Sequence, residues 1–325
     1  MKEKPDAIIV GDIHARDDQP PCRLDNFWET QIRKFKWLRD LWDEYGRPVV
    51  LQPGDLFHRW KSSPQVISAV MNYLPPMVTI PGNPGKHNYY NQEGFEKDAL
   101  HVIQSSFLDW EVMNSYECSF YDWFSVHSCL WGQSPRPLVK TDSKRKVLLT
   151  HTMILDCPEM FEGENGNDFL KKHKDYDLIV TGHNHKPMEF GLGTRVLVNP
   201  GSFTRQTASE THKPRVYLWW AKKNRIEAIF MLTEEDAITR EHIDQDKARD
   251  ERIASFVESL ADSTLDVSID FLKNIIVAFH LIADLILLSI SLSPGILGSS
   301  STSILFRYAV VALNGRYVPF LLALS

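Results

Sequence analysis

The chain has 325 residues, enough for one large domain with an appendage or for two domains, and its composition is ordinary for a globular protein to about residue 270. The formal net charge of −6 does not favour a nucleic-acid-binding protein. None of the four cysteines forms a C-x-x-C pair, which argues against a zinc ribbon or redox motif and makes a reducing cytoplasm the simpler setting.

The first eighty residues alternate between predicted strands and helices. Strands are predicted at 7–10, 48–52 and 77–80. The first helix should run from Trp28 to Tyr45, with Asp25 as its N-cap and Gly46 as its stop. Ser63 and Pro64 are a good cap and first-turn pair for a second helix. This βαβ order predicts a parallel sheet, entered without the apolar region of a signal peptide.

The middle of the chain indicates a second sheet. Residues 95–145 are rich in aromatic side chains and favour antiparallel strands. A strand at 147–150, a helix around 168–174 and a strand at 177–180 follow. The segments RVLVNPG, RVYLWW and RIEAIFML resemble a meander of three strands. A two-sheet core with helices outside fits this order.

The C-terminal part divides at two changes of composition. We expect the main domain at 1–232 and a charged helical extension at 233–274. Residues 275–325 carry only three charges and form an apolar tail. The tail is open to three interpretations. It is a membrane anchor, in which the charged Asp284 would be costly, an apolar element packed on the core, or a tail not shaped by selection for a soluble fold. We favour the third interpretation and expect a protein that is not in the membrane.

Potential metal ligands follow five of the predicted strands directly. They are Asp12, His14, Asp55, Asn83, His151, His183 and His185. Open α/β sheets place their chemistry at the carboxyl ends of their strands, so we expect these side chains to meet. A mixed set of His, Asp and Asn suits manganese, iron or zinc better than calcium. Asp55 is the natural bridge between two such cations, which can hold a phosphate and lower the pKa of water.

The ordered strings GDIH, GDLFHRW, PGN, LLTH and GHNH resemble the calcineurin-like metallophosphoesterase superfamily across about residues 7–205. The segments GDLFHRWKSSP and VNPGSFTR are similar to the SbcD-type nuclease subunit of phages and bacteria. The resemblance implies a four-layer α/β/β/α sandwich, manganese-dependent exonuclease and endonuclease activity on DNA ends, and an SbcC-like ABC-type ATPase as partner. A homodimer is a further assembly to test.

The resemblance also distributes the ligands between two metal ions. One ion would be held by Asp12, His14, Asp55 and His185. The other would be held by Asp55, Asn83, His151 and His183.

The chain departs from the family where the pattern Gly-Asn-His-Asp is expected. Here Asn83 is followed by Pro84, and the next histidine is His87. His87 either acts on the phosphate in place of the usual histidine or is an ordinary loop residue. His58 follows Asp55 by three positions, where the nuclease subfamily has a histidine near the substrate phosphate. We therefore take His87 and His58 as the candidate catalytic residues.

Three functions remain open from the sequence. The leading one is a two-metal phosphodiesterase acting on DNA. A second keeps the enzyme class but takes a small-molecule phosphodiester or a phosphoprotein. The third is a metal-binding subunit with weakened catalysis that docks a partner, because the Gly-Asn-His-Asp pattern is broken.

Overall fold

The structure is a computed structural model that describes residues 3–83, 95–106, 109–138, 144–157, 162–233 and 237–262. The chain divides into two compact units, Met1–His242 and Ile243–Ser325. The helices are α1 (Phe27–Glu44), α2 (Pro64–Tyr73), α3 (Ala99–Gln104), α4 (Gly166–Lys172) and α5 (Glu241–Asp262). The strands are β1 (Ala7–Ile9), β2 (Val49–Gln52), β3 (Val78–Thr79), β4 (Glu111–Val112), β5 (Cys118–Phe120), β6 (Phe124–Cys129), β7 (Arg145–Thr150), β8 (Ile154–Leu155), β9 (Glu164–Asn165), β10 (Leu178–Thr181), β11 (Met188–Leu192), β12 (Arg195–Asn199), β13 (Arg215–Trp220) and β14 (Arg225–Phe230).

Two six-stranded sheets form the centre of the first unit. The first sheet has the order β14-β13-β1-β2-β3-β4, and the second has the order β11-β12-β10-β7-β6-β5. Strands β1 to β4 run parallel to one another in the first sheet, and β6, β7, β10 and β12 run parallel to one another in the second. Parallel strands bring their carboxyl ends to one edge, so each sheet presents a row of strand ends.

Alternating side chains separate the layers of the sandwich. Ala7 and Ile9 of β1 pack in the layer between the two sheets, whereas Ile8 and Val10 pack against the outer helices. This is the two-residue period of a strand that is buried on both faces. A third cluster buries Phe169 of α4 against the second sheet. The predicted four-layer α/β/β/α sandwich is confirmed.

The helix ends show how local sequence sets each boundary. Ser63 caps α2, and its hydroxyl accepts from the backbone N–H of Val66, as the sequence predicts. The cap predicted for α1 is wrong by one residue, because Asn26 accepts from the N–H of Glu29. Asp25 instead accepts hydrogen bonds from the side chains of Arg23 and Thr30.

Two predictions for the strands need correction. The segment 195–199 does not continue into a three-stranded meander, because β12 pairs with β10 and β11 in the second sheet. Only β13 and β14 form the hairpin, and they lie in the first sheet. In the region 95–145, β5 and β6 are antiparallel as predicted, but β6 runs parallel to β7 and α3 precedes them.

The C-terminal unit is described as far as Asp262, the end of α5. A helix was predicted in this charged region, but the boundary at 274 and the apolar tail at 275–325 lie outside the described residues. Among the helices that the structure describes, none is long and apolar enough to cross a membrane.

Candidate metal centre

All seven predicted metal ligands follow the carboxyl ends of parallel strands. Asp12 and His14 follow β1, Asp55 follows β2 and Asn83 follows β3 in the first sheet. His151 follows β7, and His183 and His185 follow β10 in the second sheet. The site therefore lies where the strand ends of the two sheets face each other.

Two groups of potential ligands lie close enough to hold a cation. One contains Asp12, His14 and His185, the other contains Asp12, Asp55 and His151, and the ligand atoms of each group lie within 4.8 Å of one another. In the first group, the Nε2 atoms of His14 and His185 are 2.9 Å apart. Oδ2 of Asp12 lies 3.7 Å from Nε2 of His185. Three donors from two strand ends, those of β1 and β10, thus converge on one point.

Asp55 belongs to the second group and also lies close to His14 of the first, whereas Asp12 belongs to both groups. The Oδ2 atom of Asp55 is 3.5 Å from Nε2 of His14 and 3.5 Å from Nε2 of His151. Its Oδ1 atom accepts a hydrogen bond of 3.0 Å from the backbone N–H of Asn83. Asp12 is held in a similar way, because its Oδ2 accepts from the backbone N–H of His183 at 2.8 Å. Both carboxylates are thereby oriented by the backbone of another ligand.

His183 and Asn83 lie at the second group rather than within the tight clusters. The ring centroid of His183 is 5.2 Å from that of His151 and 4.2 Å from that of Trp131. Asn83 is half-buried and reaches Asp55 through its backbone. The structure thus places His183 beside His151 and Asn83 beside Asp55.

The backbone of the site is strained at three of the predicted ligands. His14, Asp55 and His183 have φ angles of 48°, 53° and 73°, in the left-handed region that non-glycine residues seldom adopt. Such conformations cost roughly 1–3 kcal/mol each and persist where the surroundings impose them, often at functional sites. Gly82 lies so close to Asp55 that an added methyl group would overlap the Asp55 carboxylate.

Burial shifts the protonation of the site. The carboxyl of Asp12 is almost fully buried, and burial raises its pKa to about 6 against the opposing influence of His151 and His185. Burial by itself would lower the pKa of His151, but the neighbouring Asp55 and Asp12 carboxylates outweigh it, so the pKa is raised. The site therefore concentrates buried negative charge that only nearby imidazoles offset.

This donor set fits divalent metal ions. Within the described residues, the buried atoms of the site without a hydrogen-bond partner include Oδ1 of Asp12, Oδ1 of Asn83 and Nε2 of His151. Buried polar atoms are normally hydrogen-bonded, and buried charges are paired or bound to metal. Nδ1 of His151 lies 2.7 Å from the carbonyl oxygen of Pro53, so that nitrogen donates its proton and leaves Nε2 as a ligand.

The two candidate catalytic residues have different outcomes. His58 is half-buried, and its ring centroid lies 5.8 Å from that of His14, edge-on. His58 is thus adjacent to the ligands without belonging to either group. His87 lies outside the described residues, and its role stays a prediction.

Sequence reasoning missed two residues of the site, Glu210 and Trp131. The Oε1 atom of Glu210 lies 2.7 Å from Nδ1 of His185, which makes Glu210 a second-sphere partner of a predicted ligand. Glu210 follows no strand directly and is 25 residues beyond His185 in a polar loop, so no periodicity or spacing points to it. Trp131, which covers His183, was also not predicted.

Several solved structures are similar to this chain at low identity. A novel archaeal phosphodiesterase is 13% identical, with a TM-score of 0.40, over 69% of this chain and 99% of that one. A metallophosphoesterase from Sphaerobacter thermophilus is 12% identical, with a TM-score of 0.35, over 70% of this chain and 89% of that one. No curated protein matches the sequence.

The sequence itself matches a family model over more than half its length. The model describes the calcineurin-like phosphoesterases and matches residues 6–187. That range contains β1, β2, β3, β7 and β10 together with all seven predicted ligands. Members of this family are generally metal-dependent hydrolases. The chain therefore belongs to the calcineurin-like phosphoesterase family.

Proposed function

We propose that this protein is a two-metal phosphodiesterase that hydrolyses DNA, as the nuclease subunit of an SbcCD-like repair or recombination complex. The position of Asp55 carries this proposal. One oxygen of its carboxylate lies 3.5 Å from a histidine of each ligand group, His14 and His151. A shared carboxylate between two sets of nitrogen donors is the arrangement expected of a dinuclear centre.

The chain offers a complete set of ligands for such a pair. One ion would be held by Asp12, His14, Asp55 and His185. The other would be held by Asp55, Asn83, His151 and His183. When bound, the two ions would act as Lewis acids toward a phosphoryl oxygen and neutralise the charge that develops during hydrolysis. Manganese is our first choice because the donor set mixes imidazole, carboxylate and amide oxygen, with iron and zinc as alternatives.

A cleft next to the metal ligands supports a DNA substrate. It has a volume of about 260 Å³ and is lined by residues that include Arg16, His58, Arg59 and Lys61. Asp17 and Asp18 line the same cleft. Arg16 and Arg59 are both ion-paired with Asp18, and the Arg59 guanidinium is 69% exposed. Arg59 and Lys61 are available to contact backbone phosphates although the net charge of the chain is negative.

Within this cleft, we propose that His58 contacts the phosphate that is cleaved. Its ring centroid lies 5.8 Å from that of His14, and His58 lines the cleft. A positioned acid or base typically contributes about 10²–10⁴-fold to the rate. His58→Ala should lower kcat by about that factor while leaving Mn²⁺ affinity unchanged, and His101→Ala on α3 serves as the matched control. Equal kcat values for the two variants would remove His58 from the mechanism.

Substrate class can be decided with one set of assays. Purified protein with Mn²⁺ is incubated with linear duplex DNA, with bis(4-nitrophenyl) phosphate and with a phosphoserine peptide. The proposal predicts release of nucleotides from DNA that disappears on chelation. Turnover of only the small diester or only the peptide would replace DNA with those substrates. Mn²⁺ binding without any turnover would favour a partner subunit with weakened catalysis.

An ABC-type ATPase is the proposed partner. The charged helix α5 follows the phosphoesterase domain. In the SbcD-type subunits that the sequence resembles, helices at this point of the chain dock such an ATPase. Co-purification of the two proteins from one host tests this proposal. A monodisperse monomer that ignores the ATPase would contradict it, and sedimentation of the chain alone would reveal a homodimer.

A further inference from the structure

The two histidines that anchor the ligand groups are held by different kinds of acceptor. Nδ1 of His185 lies 2.7 Å from the carboxylate of Glu210. Nδ1 of His151 lies 2.7 Å from the carbonyl oxygen of Pro53. Both contacts leave Nε2 facing the site, but only Glu210 brings a formal negative charge to the far side of an imidazole. A carboxylate behind a ligating histidine fixes its tautomer and makes it a stronger donor.

Glu210 is itself held firmly as a carboxylate. Its Oε2 atom accepts from the hydroxyl of Ser202 at 2.8 Å and from the backbone N–H of Gln206 at 2.7 Å. Its side chain is only 5% exposed. A buried carboxylate with three donors remains in place and in its charged form.

The loop that carries Glu210 is attached to the loop that carries the other ligands of the same group. The backbone N–H of Phe203 donates to the carbonyl of Asp12 at 2.8 Å. The Gln206 side-chain amide donates to the carbonyl of His14 at 3.1 Å. The backbone N–H of Ser202 donates to the carbonyl of His185 at 3.0 Å. The position of Glu210 is therefore fixed relative to Asp12, His14 and His185 together.

We propose that Glu210 is a positioning residue that sets the metal affinity of one position, the group of Asp12, His14 and His185, and so makes the two positions unequal. At His151 the corresponding place is taken by the neutral Pro53 carbonyl. This inference rests on the metal pair of the proposed function. It adds a residue outside the seven ligands and predicts that one position fills before the other.

Calorimetric titration of the metal-free protein with Mn²⁺ tests the inference. The wild type should bind two ions in separable steps. Removing a second-sphere partner typically costs about 10–100-fold in metal affinity, so Glu210→Gln should weaken one step by about 10-fold and Glu210→Ala by up to about 100-fold. The second step should stay within about twofold. The control is Glu227→Gln, whose carboxylate is exposed and pairs with Arg225 on β14.

A structural role for Glu210 would give a different pattern. It would lower the melting temperature of the metal-free protein and weaken both steps equally, and that result would overturn the inference. Glu210→Gln keeps the shape of the side chain and is the variant to use if Glu210→Ala does not fold. Electron paramagnetic resonance adds a second readout. At one equivalent of Mn²⁺, wild type should show one class of uncoupled ion, and Glu210→Ala should show the ion at the other position.

The failure of this inference is distinguishable from failure of the proposed function. Two Mn²⁺ steps in the wild type, with neither affected by Glu210→Gln, would leave the metal pair intact and remove Glu210. A wild type that binds no Mn²⁺ would overturn the metal pair and the inference together.

Discussion

The two sheets contribute to the site in different ways. The first sheet supplies both carboxylates, Asp12 and Asp55, and the second sheet supplies His151, His183 and His185. Both carboxylates are buried. Asp55 lies 3.5 Å from Nε2 of His14 and of His151, and Asp12 lies 3.7 Å from Nε2 of His185. His14 of the first sheet and the imidazoles of the second sheet together face this buried negative charge. The difference shows that the site depends on the closure of both sheets.

The largest effect should come from removing the shared charge of the first sheet. Asp55→Asn keeps the shape of the side chain but removes the negative charge between His14 and His151. Metal ions contribute several kcal/mol to transition-state stabilisation, so loss of roughly 4 kcal/mol should lower kcat/KM about 10³-fold. Phosphodiester hydrolysis with Mn²⁺ measures this. Asp168→Asn, on the exposed face of α4, should behave as wild type. Equal loss in both variants would refute a special role for Asp55.

A smaller effect should follow from filling the space beside that carboxylate. A methyl group at Gly82 would overlap the Asp55 carboxylate, whereas a methyl group at Gly191 would meet nothing within 4 Å. Overpacking typically costs about 1–3 kcal/mol. Gly82→Ala should therefore lower the free energy of unfolding by that amount and weaken Mn²⁺ binding, and Gly191→Ala should do neither. Denaturant unfolding and metal titration are the measurements. A Gly82→Ala protein with wild-type metal affinity would show that Asp55 can shift without consequence.

Lys34 is a buried ionisable side chain that, unlike the buried carboxylates Asp12 and Asp55, lies outside the ligand groups. It lies on α1, is 7% exposed and donates to the carbonyl of Phe203 at 3.1 Å. Burial lowers its pKa to about 7, and Arg23 and Arg205 add to the shift. Between about pH 7 and its ordinary value of 10.5, the unfolded chain binds a proton that the folded chain does not. Stability from this group therefore rises with pH through that window.

The corresponding variant is Lys34→Met, which keeps an unbranched side chain one atom shorter and removes its charge. It should remove this rise in stability and leave the protein more stable than wild type near pH 7. Lys171→Met, at an exposed position on α4, is the control. The measurement is the unfolding midpoint of each protein from pH 6 to pH 10, which gives the dependence of stability on pH. Parallel pH profiles for wild type and Lys34→Met would contradict the assignment.

Strand ends were the most predictable part of this molecule. Short apolar runs that stop at Asp12, Asp55 or His151 give both the strand and the ligand, because buried parallel strands and their terminal side chains are adjacent in sequence. The pairing of β12 with the second sheet was not predictable in the same way. The run at 195–199 has the same apolar character as the run at 215–220, and only tertiary contacts assign them to different sheets.

Local chemistry also left some features undetermined. Asp25 and Asn26 are adjacent residues of types that cap helices equally well, and the pairing of Asp25 with Arg23 decides for Asn26. Glu210 is an ordinary acidic residue in a polar loop until the fold brings it to His185. Residues that hold a metal ligand in place are defined by contacts between distant segments. A single sequence therefore predicts the ligands more readily than the residues that position them.

The central claim is that the facing strand ends hold two metal ions with Asp55 between them. Crystals of the Mn²⁺-loaded protein, measured at the manganese absorption edge, test it directly. We expect two anomalous peaks about 3.5–4 Å apart. One should lie against Asp12, His14 and His185, the other against Asn83, His151 and His183, and Asp55 should touch both. A single peak, or two peaks that do not share Asp55, would contradict the account.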